Sequence, residues 1–360
     1  MKTIKVGIIG AGTIASYHCN GFRAAGAEVV AVSDTRLDAA KAFAEGFGIP
    51  QYCADLESML KCCSDLDAVS LAVPNFLHKP LSIQALNAGL HVYCEKPPAL
   101  NEEEAIEMAE AAEQAGKCLM FDFNNRLRTE SQTLHQYIQD GVMGRINSVQ
   151  STWIRRNGIP GFGGWFTQKK TSGGGPVIDL LHMLDLGLYM MDYPKPDCIL
   201  ARTYDDFMGN PDFKGPWGIP DRDTTMDVES ACHGFITFKD GQCLSLRTSW
   251  AEMNEREVVS LSMQGTKAGA KMERLFGVDG IDETSHDTCK IFTVENGLHV
   301  NRDIIIPPDA SMGRLKSAVN FIEAIAGTAV PNNTPQEAVR LMKIIDAIYT
   351  SAREKRPVFL

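Results

Sequence analysis

Three groups of residues have the types and spacing that chemistry needs. The first is Gly10-Ala11-Gly12-Thr13-Ile14-Ala15, set behind an apolar run that ends at Ile9. In such a turn the first glycine permits a tight bend and the second lets the backbone approach a pyrophosphate. The small residue at Ala15 allows close helix–sheet packing. The N–H groups of Thr13 and Ile14 then open a helix whose positive end favours phosphate. Asp34 ends the next β-branched run, about 20 residues on, where an acid accepts from a ribose hydroxyl. Its charge repels a 2′-phosphate, so NAD is the expected dinucleotide, with nearby Arg36 keeping NADP as the second choice. Further along, Pro74, Asn75 and His78 follow another strand-like run, where a cofactor would lie outside the carboxyl ends of a parallel sheet. Asn75 is equally placed to cap the helix that follows.

The second group is Cys94-Glu95-Lys96-Pro97-Pro98. Pro97 disfavours the helical region for Lys96 and holds it extended at a strand's end. A lysine pointing into the crevice there donates to a substrate oxygen and lowers its pKa; a surface lysine beside a proline turn is the plain alternative. The third group lies on a helix expected over Val177–Met191, after Ser172-Gly-Gly-Gly-Pro176. This stretch holds no Lys, Arg or Glu, yet carries Asp179, His182, Asp185 and Tyr189 on one side and a leucine stripe on another. Ionisable groups on a largely buried helix need partners and tend to be functional, although a hydrogen-bonded core histidine fits as well. No further ligand cluster accompanies them, and no metal is expected.

The elements that must position these groups change character along the chain. Residues up to about 123 alternate short β-branched runs with helical patterns, which means βαβ units and a parallel sheet. Strands are expected at Ile4–Ile9, Val29–Ser33, Ala68–Val73, Leu90–Cys94 and Lys117–Phe123, with helices at Leu77–Asn87 and Glu102–Ala115. From Arg145 onward come long alternating strands at Ile146–Arg155, Glu229–Phe238, Gln242–Trp250 and Glu257–Met263, a mostly antiparallel sheet. Amphipathic helices at Gly313–Ala326 and Pro335–Arg353 close the chain. The fold class is therefore α/β: a Rossmann domain over 1–123, then an α/β domain over 124–360 with a large open sheet, its C-terminal helices able to pack back on the first domain. The Gly/Pro/Asp-rich segment Asp205–Asp223 reads as a long loop, either a substrate lid or a subunit contact.

A net charge of −10 over 360 residues, with no basic block, argues against nucleic-acid binding. No apolar run approaches the length of a membrane span. Met1–Gly10 reads as a strand and leaves no room for a signal peptide, so a cytoplasmic setting is expected. The ten cysteines include no Cys-x-x-Cys pair and mostly sit in apolar patterns, as free thiols do.

These motifs, in this order, resemble the glucose–fructose oxidoreductase/inositol dehydrogenase family, Gfo/Idh/MocA. The resemblance covers essentially the whole chain. It rests on the Gly10–Ala15 turn followed by His18, Pro74-Asn75 with His78, Glu95-Lys96-Pro97, Asn125-Arg126, and the triple glycine leading to Asp179, His182 and Asp185. It implies reversible hydride transfer between nicotinamide and a secondary hydroxyl of a sugar, glycoside or cyclitol, in a homodimer or homotetramer built through the open sheet. It also implies Lys96 and His182 as the catalytic pair with Asp179 as partner, and a cis bond before Pro97. Glu95, Lys96 and Asn125 would join the cofactor contacts. Arg126, Arg156 and Trp165 would face substrate; the latter two lie in the Gly- and aromatic-rich segment Arg155–Phe166, which reads either as a binding wall or as an interface arm. Glycoside 3-dehydrogenases carry similar arms. An NAD-retaining glycosidase or isomerase, oxidising its substrate only transiently, is the alternative on the same scaffold. One departure stands out: family members commonly separate the aspartate and histidine by three residues, whereas only Leu180 and Leu181 intervene here. A late-starting helix, with Asp179 in its opening turn, would absorb the missing residue; Asp179 as a mere helix cap is the rival.

Overall fold

The computed structural model describes residues 3–276 and 287–360, so Met1 and Lys2, which precede the first expected strand, lie outside the described residues. The chain divides into two compact units. One comprises Met1–Leu127 with Asp309–Met342, the other Arg128–Pro308 with Lys343–Leu360.

In the first unit strands and helices alternate: β1 (Lys5–Ile9), α1 (Thr13–Ala24), β2 (Glu28–Ser33), α2 (Leu37–Phe47), β3 (Gln51–Cys53), α3 (Leu56–Cys62), β4 (Ala68–Leu71), α4 (His78–Asn87), β5 (His91–Cys94), α5 (Glu102–Ala115) and β6 (Leu119–Phe121). The strands pair in the order β3-β2-β1-β4-β5-β6, every pairing parallel. Both faces of such a sheet are covered, which is why its strands read as unbroken apolar runs. Val6, Ile8, Val69, Leu71 and Val92 are accordingly fully buried. Helix α5 shows how local residues set the boundaries. The Asn101 side chain accepts from the Glu104 N–H at 2.9 Å, the Glu104 carboxylate accepts from the Leu100 N–H at 3.1 Å, and Gly116 ends the helix in the left-handed conformation. Strand β3 is too short to show a period, and the sequence reading omits it.

The second unit contributes α6 (Thr129–Gln139), β7 (Ile146–Ile154), two helical turns α7 (Lys169–Ser172) and α8 (Pro176–Asp179), α9 (His182–Met190), β8 (Pro196–Tyr204), β9 (Ala231–Phe238), β10 (Cys243–Ser249), β11 (Val258–Gly265), β12 (Gly269–Leu275), β13 (Thr288–Glu295) and β14 (Leu298–Asp303). The chain then forms α10 (Arg314–Ile325), which packs on α1, α11 (Pro335–Glu354) and β15 (Val358–Phe359). Nine strands pair in the order β14-β13-β12-β11-β7-β10-β9-β8-β15, antiparallel except where β10 meets β7. Val149, Ser151, Leu244, Val259 and Leu261 point inward on the face that α9 covers.

The opposite face carries exposed Gln150, Ser245, Arg247 and Gln264 on its central strands. Leu200, Tyr204, Phe235 and Phe359 on one side, and Phe292 and Val294 on the other, are among its exposed apolar residues. An uncovered face of this kind would be expected to present one broad apolar patch. It is polar at its centre because β7, β10 and β11 alternate apolar-in with Ser, Gln or Arg out.

All ten cysteines are free thiols, and not all are buried: Cys62 is exposed, with its Sγ 3.2 Å from that of Cys53. Burial pushes the Cys53 thiol up to about 12.

Candidate active site

The glycine turn after β1 is shaped for a close approach. Gly10 takes a φ of +97°, and a Cβ there would lie 2.1 Å from the Ala72 carbonyl oxygen. Gly12 precedes α1, and a Cβ built on it meets nothing within 4 Å. The first turn of α1 has neither a side-chain cap nor an acidic residue, so the N–H groups of Thr13 and Ile14 open onto a free cradle that suits a pyrophosphate. Ala15 is fully buried beneath them. Across the turn the Asp34 carboxylate accepts from the Ala11 N–H at 3.0 Å and the Arg36 N–H at 2.9 Å. The Arg36 side chain itself is 75% exposed.

Asn75 is buried in a short helical turn after β4. His78 departs from expectation, because it is fully buried rather than lining a groove. Its Nδ1 is 2.7 Å from the Pro97 carbonyl and its Nε2 2.9 Å from the Val73 carbonyl. Burial holds its pKa down against these two carbonyls. The ring thus lies between the turn after β4 and the turn after β5, and its single N–H donates to one of the two carbonyls.

That second turn presents Lys96, and the Lys96–Pro97 bond is cis. Glu95 turns inward instead of towards a cofactor: one oxygen lies 3.0 Å from His18 Nε2, and the other accepts from the Lys96 N–H at 3.1 Å. Arg126 is likewise enclosed, next to buried Asn125. Its Nη1 donates to the Asn332 carbonyl at 2.8 Å and to Glu337 at 3.1 Å, and its guanidinium lies over Phe123. A side chain so covered braces the returning segment 309–342 rather than meeting substrate.

In the second unit the expected continuous helix is broken. Helix α8 stops at Asp179, and α9 begins at His182 after Leu180 and Leu181. Asp179 therefore sits in a separate opening turn. Its Oδ2 accepts from the Trp250 indole N–H at 2.9 Å and lies 4.0 Å from Arg155 Nη1. Side-chain donors hold it, so it is not a helix cap. Glu229 anchors the glycine run that leads in, accepting from the N–H groups of Gly175 at 3.0 Å and Val177 at 3.1 Å and from the Tyr349 hydroxyl at 3.0 Å. Burial raises the Glu229 pKa against these donors. The glycines are obligatory here, since a Cβ on Gly174 would lie 1.9 Å from the Tyr349 hydroxyl oxygen.

Trp153 and Trp217, which are not singled out as candidates from the sequence, complete this half. Trp217, Arg155, Trp153 and His182 form a ladder. The Arg155 guanidinium is 4.8 Å from the Trp217 ring centre and 5.4 Å from that of Trp153, whose ring lies 5.9 Å from the His182 imidazole. Glu257 accepts from the Trp153 indole at 2.8 Å and from Arg155 Nε at 3.3 Å. Arg155, not the exposed Arg156, thus reaches Asp179. Strand alternation carries that signal, since Trp153 and Arg155 share a face and Arg156 does not. Trp165 stacks on Phe166 instead of joining the ladder. The segment Asp205–Asp223 packs on its own unit: Phe213 lies with Ile159, Leu180 and Trp250, and the Arg222 N–H donates to the Phe162 carbonyl.

Residues 4–123 match the oxidoreductase family Gfo/Idh/MocA, NAD-binding Rossmann fold, and residues 135–360 match that family's C-terminal alpha/beta domain. The chain belongs to this family. A D-glucoside 3-dehydrogenase of Escherichia coli K12 is 35% identical over 97% of this chain and 95% of its own length. A levoglucosan dehydrogenase of Pseudarthrobacter phenanthrenivorans is 26% identical over 74% of this chain and 73% of its own. The solved structure of a levoglucosan dehydrogenase with NADH and L-sorbose shares the fold with a TM-score of 0.84 at 22% identity, covering 100% of this chain and 99% of that one. As a Gfo/Idh/MocA oxidoreductase the protein binds NAD, and the open cradle at Gly12 with Asp34 across the turn fits that cofactor. Among the described residues no helix is long and apolar enough to cross a membrane.

Proposed function

We propose that the protein is an NAD-dependent dehydrogenase acting on a secondary hydroxyl of a sugar or glycoside. The observation that carries this reading is the common edge of the first sheet. Gly10 follows β1, Asn75 follows β4 and Lys96 follows β5, so three parallel strands bring the cofactor turn and the lysine to the same carboxyl end. The substrate class follows the D-glucoside 3-dehydrogenase, which is related over nearly the whole length of this chain.

In this reading Lys96 donates to the substrate oxygen and stabilises the developing alkoxide, while neutral His182 takes the hydroxyl proton. Asp179, steadied by Trp250 and Arg155, orients the proton-transfer groups. Bound NAD supplies the hydride acceptor. Asp34 accepts from the adenosine ribose, and the N–H groups of Thr13 and Ile14 hold the pyrophosphate. The Trp217–Arg155–Trp153 ladder offers aromatic faces of the kind that stack on sugar rings.

The test is NADH formation at 340 nm across glycosides, aldoses and inositols. Net NADH with a glycoside or sugar supports the proposal. Product without net NADH would transfer the protein to the NAD-retaining class, and no turnover with any of them would refute the substrate class.

A further inference from the structure

Behind the Lys96 turn, ionisable side chains from three separate elements meet in the interior of the NAD-binding unit. His18, on α1, is fully buried. Its Nε2 lies 3.0 Å from Glu95 Oε1 and 3.8 Å from Asp122 Oδ2, and its Nδ1 lies 2.6 Å from Ser70 Oγ on β4. Glu95 follows β5 and Asp122 follows β6. The edge of the imidazole meets the Tyr93 ring, whose hydroxyl donates to Ser317 at 2.7 Å.

Burial alone would push the histidine's pKa down. Hydrogen bonds and charge from Asp122 and Glu95 outweigh it and hold the pKa at about 9. The ring is therefore an imidazolium at neutral pH, with Nε2–H donating to Glu95 and Nδ1–H to Ser70. Asp122 is correspondingly held below its ordinary range: burial opposes this, but His18 and the Arg314 charge prevail.

A buried ion cluster is weak support for stability, because well-packed apolar side chains serve as well. Its position points to another use. The Glu95 carboxylate bridges the imidazolium and the N–H of Lys96, the next residue.

We propose that His18 is a positioning residue of the dehydrogenase: by holding the Glu95 carboxylate against the Lys96 N–H, it fixes the turn from which Lys96 reaches the substrate. His18 touches neither reacting atom. The inference rests on Lys96 acting at the substrate hydroxyl, as proposed above. The sign of its pH dependence follows from the raised pKa. Ordering by the imidazolium is complete at neutral pH and is lost as pH rises through about 9.

Two substitutions separate positioning from bulk. His18→Gln keeps an N–H donor near the Nε2 position, facing Glu95, whereas His18→Asn keeps one only near Nδ1, facing Ser70. We expect about a 10-fold loss of kcat for H18Q and about 100-fold for H18N, with the NADH dissociation constant changed less than about 3-fold in both. The alkaline limb of kcat near pH 9 should move in H18Q. A merely structural histidine would instead lower Tm in both variants without ordering their kcat values or moving the limb. Lys96→Met is measured alongside, and in the double variant the H18Q loss should vanish, because the two act through one group. If K96M stays within a few fold of wild type, the lysine reading fails. If K96M collapses while H18Q and H18N keep the wild-type kcat and pH profile, the positioning role is overturned. Should H18N not fold, Glu95→Gln decides instead: a loss of about 10-fold in kcat supports the proposal and an unchanged kcat overturns it.

Discussion

Replacing Asp34 by asparagine removes one negative charge from the glycine turn while leaving a carbonyl oxygen to accept from the Ala11 N–H, now 3.0 Å from the carboxylate. The substitution therefore separates charge from hydrogen bonding. A 2′-phosphate brought beside the carboxylate would meet a like charge at ~4 Å, worth about 1 kcal/mol per charge pair in bulk water and about 4 kcal/mol at an effective dielectric of 20. The Asp34 side chain is only 18% exposed, which favours the upper part of that range, and the mostly exposed Arg36 guanidinium, 4.0 Å away, offsets part of it. A net penalty of about 2 kcal/mol corresponds to about 30-fold against NADP. Losing the charge-assisted bond to the ribose costs NAD about 1 kcal/mol, roughly 5-fold. D34N should then shift the NAD-to-NADP ratio of kcat/KM by about 10²-fold, read as initial rates at 340 nm with each cofactor at fixed substrate. A shift under about 5-fold, in a protein with wild-type Tm, would refute the assignment of Asp34 and turn attention to Arg36.

Lys96→Ala and His182→Ala should each lower kcat by about 10²-fold or more while NADH binding, followed by fluorescence, is largely kept; a His182 variant within a few fold of wild type removes the general base. Trp250→Phe deletes the indole donor to Asp179 Oδ2. Losing a bond to a charged acceptor is worth about 1.5 kcal/mol or more, so kcat should fall about 10-fold, and an unchanged kcat would mean that Asp179 needs no orientation. For assembly, light scattering at micromolar concentration should give a dimer or tetramer, with Gln150→Glu and Ser245→Glu, which place like charges on the exposed sheet face, breaking it. A monomeric wild type would end that expectation.

Much of the first unit is written locally. The glycine turn, the capping residues around Glu102–Ala115 and the apolar strand runs are short-range signals, and their elements form within a residue or two of the expected bounds. Four strands of the second sheet, β7, β9, β10 and β11, announce themselves by alternation in the same way, whereas β8 and β12 to β15 do not figure among the expected strands. Tertiary structure decided what each candidate side chain faces. Glu95, His78 and Arg126 look like site residues in sequence, yet partners as distant as His18, Pro97 and Glu337 draw them into the interior. Arg155 and Trp250 gain their meaning only where two strands and a helical turn bring them to Asp179. The break between α8 and α9 follows the same rule. Periodicity across Val177–Met191 is satisfied by one straight helix, but Glu229 and Trp250, more than fifty residues away, hold its first turn apart. Local sequence encodes backbone preference and burial, whereas pairing between remote polar groups leaves no periodic trace and is settled only when the sheet assembles.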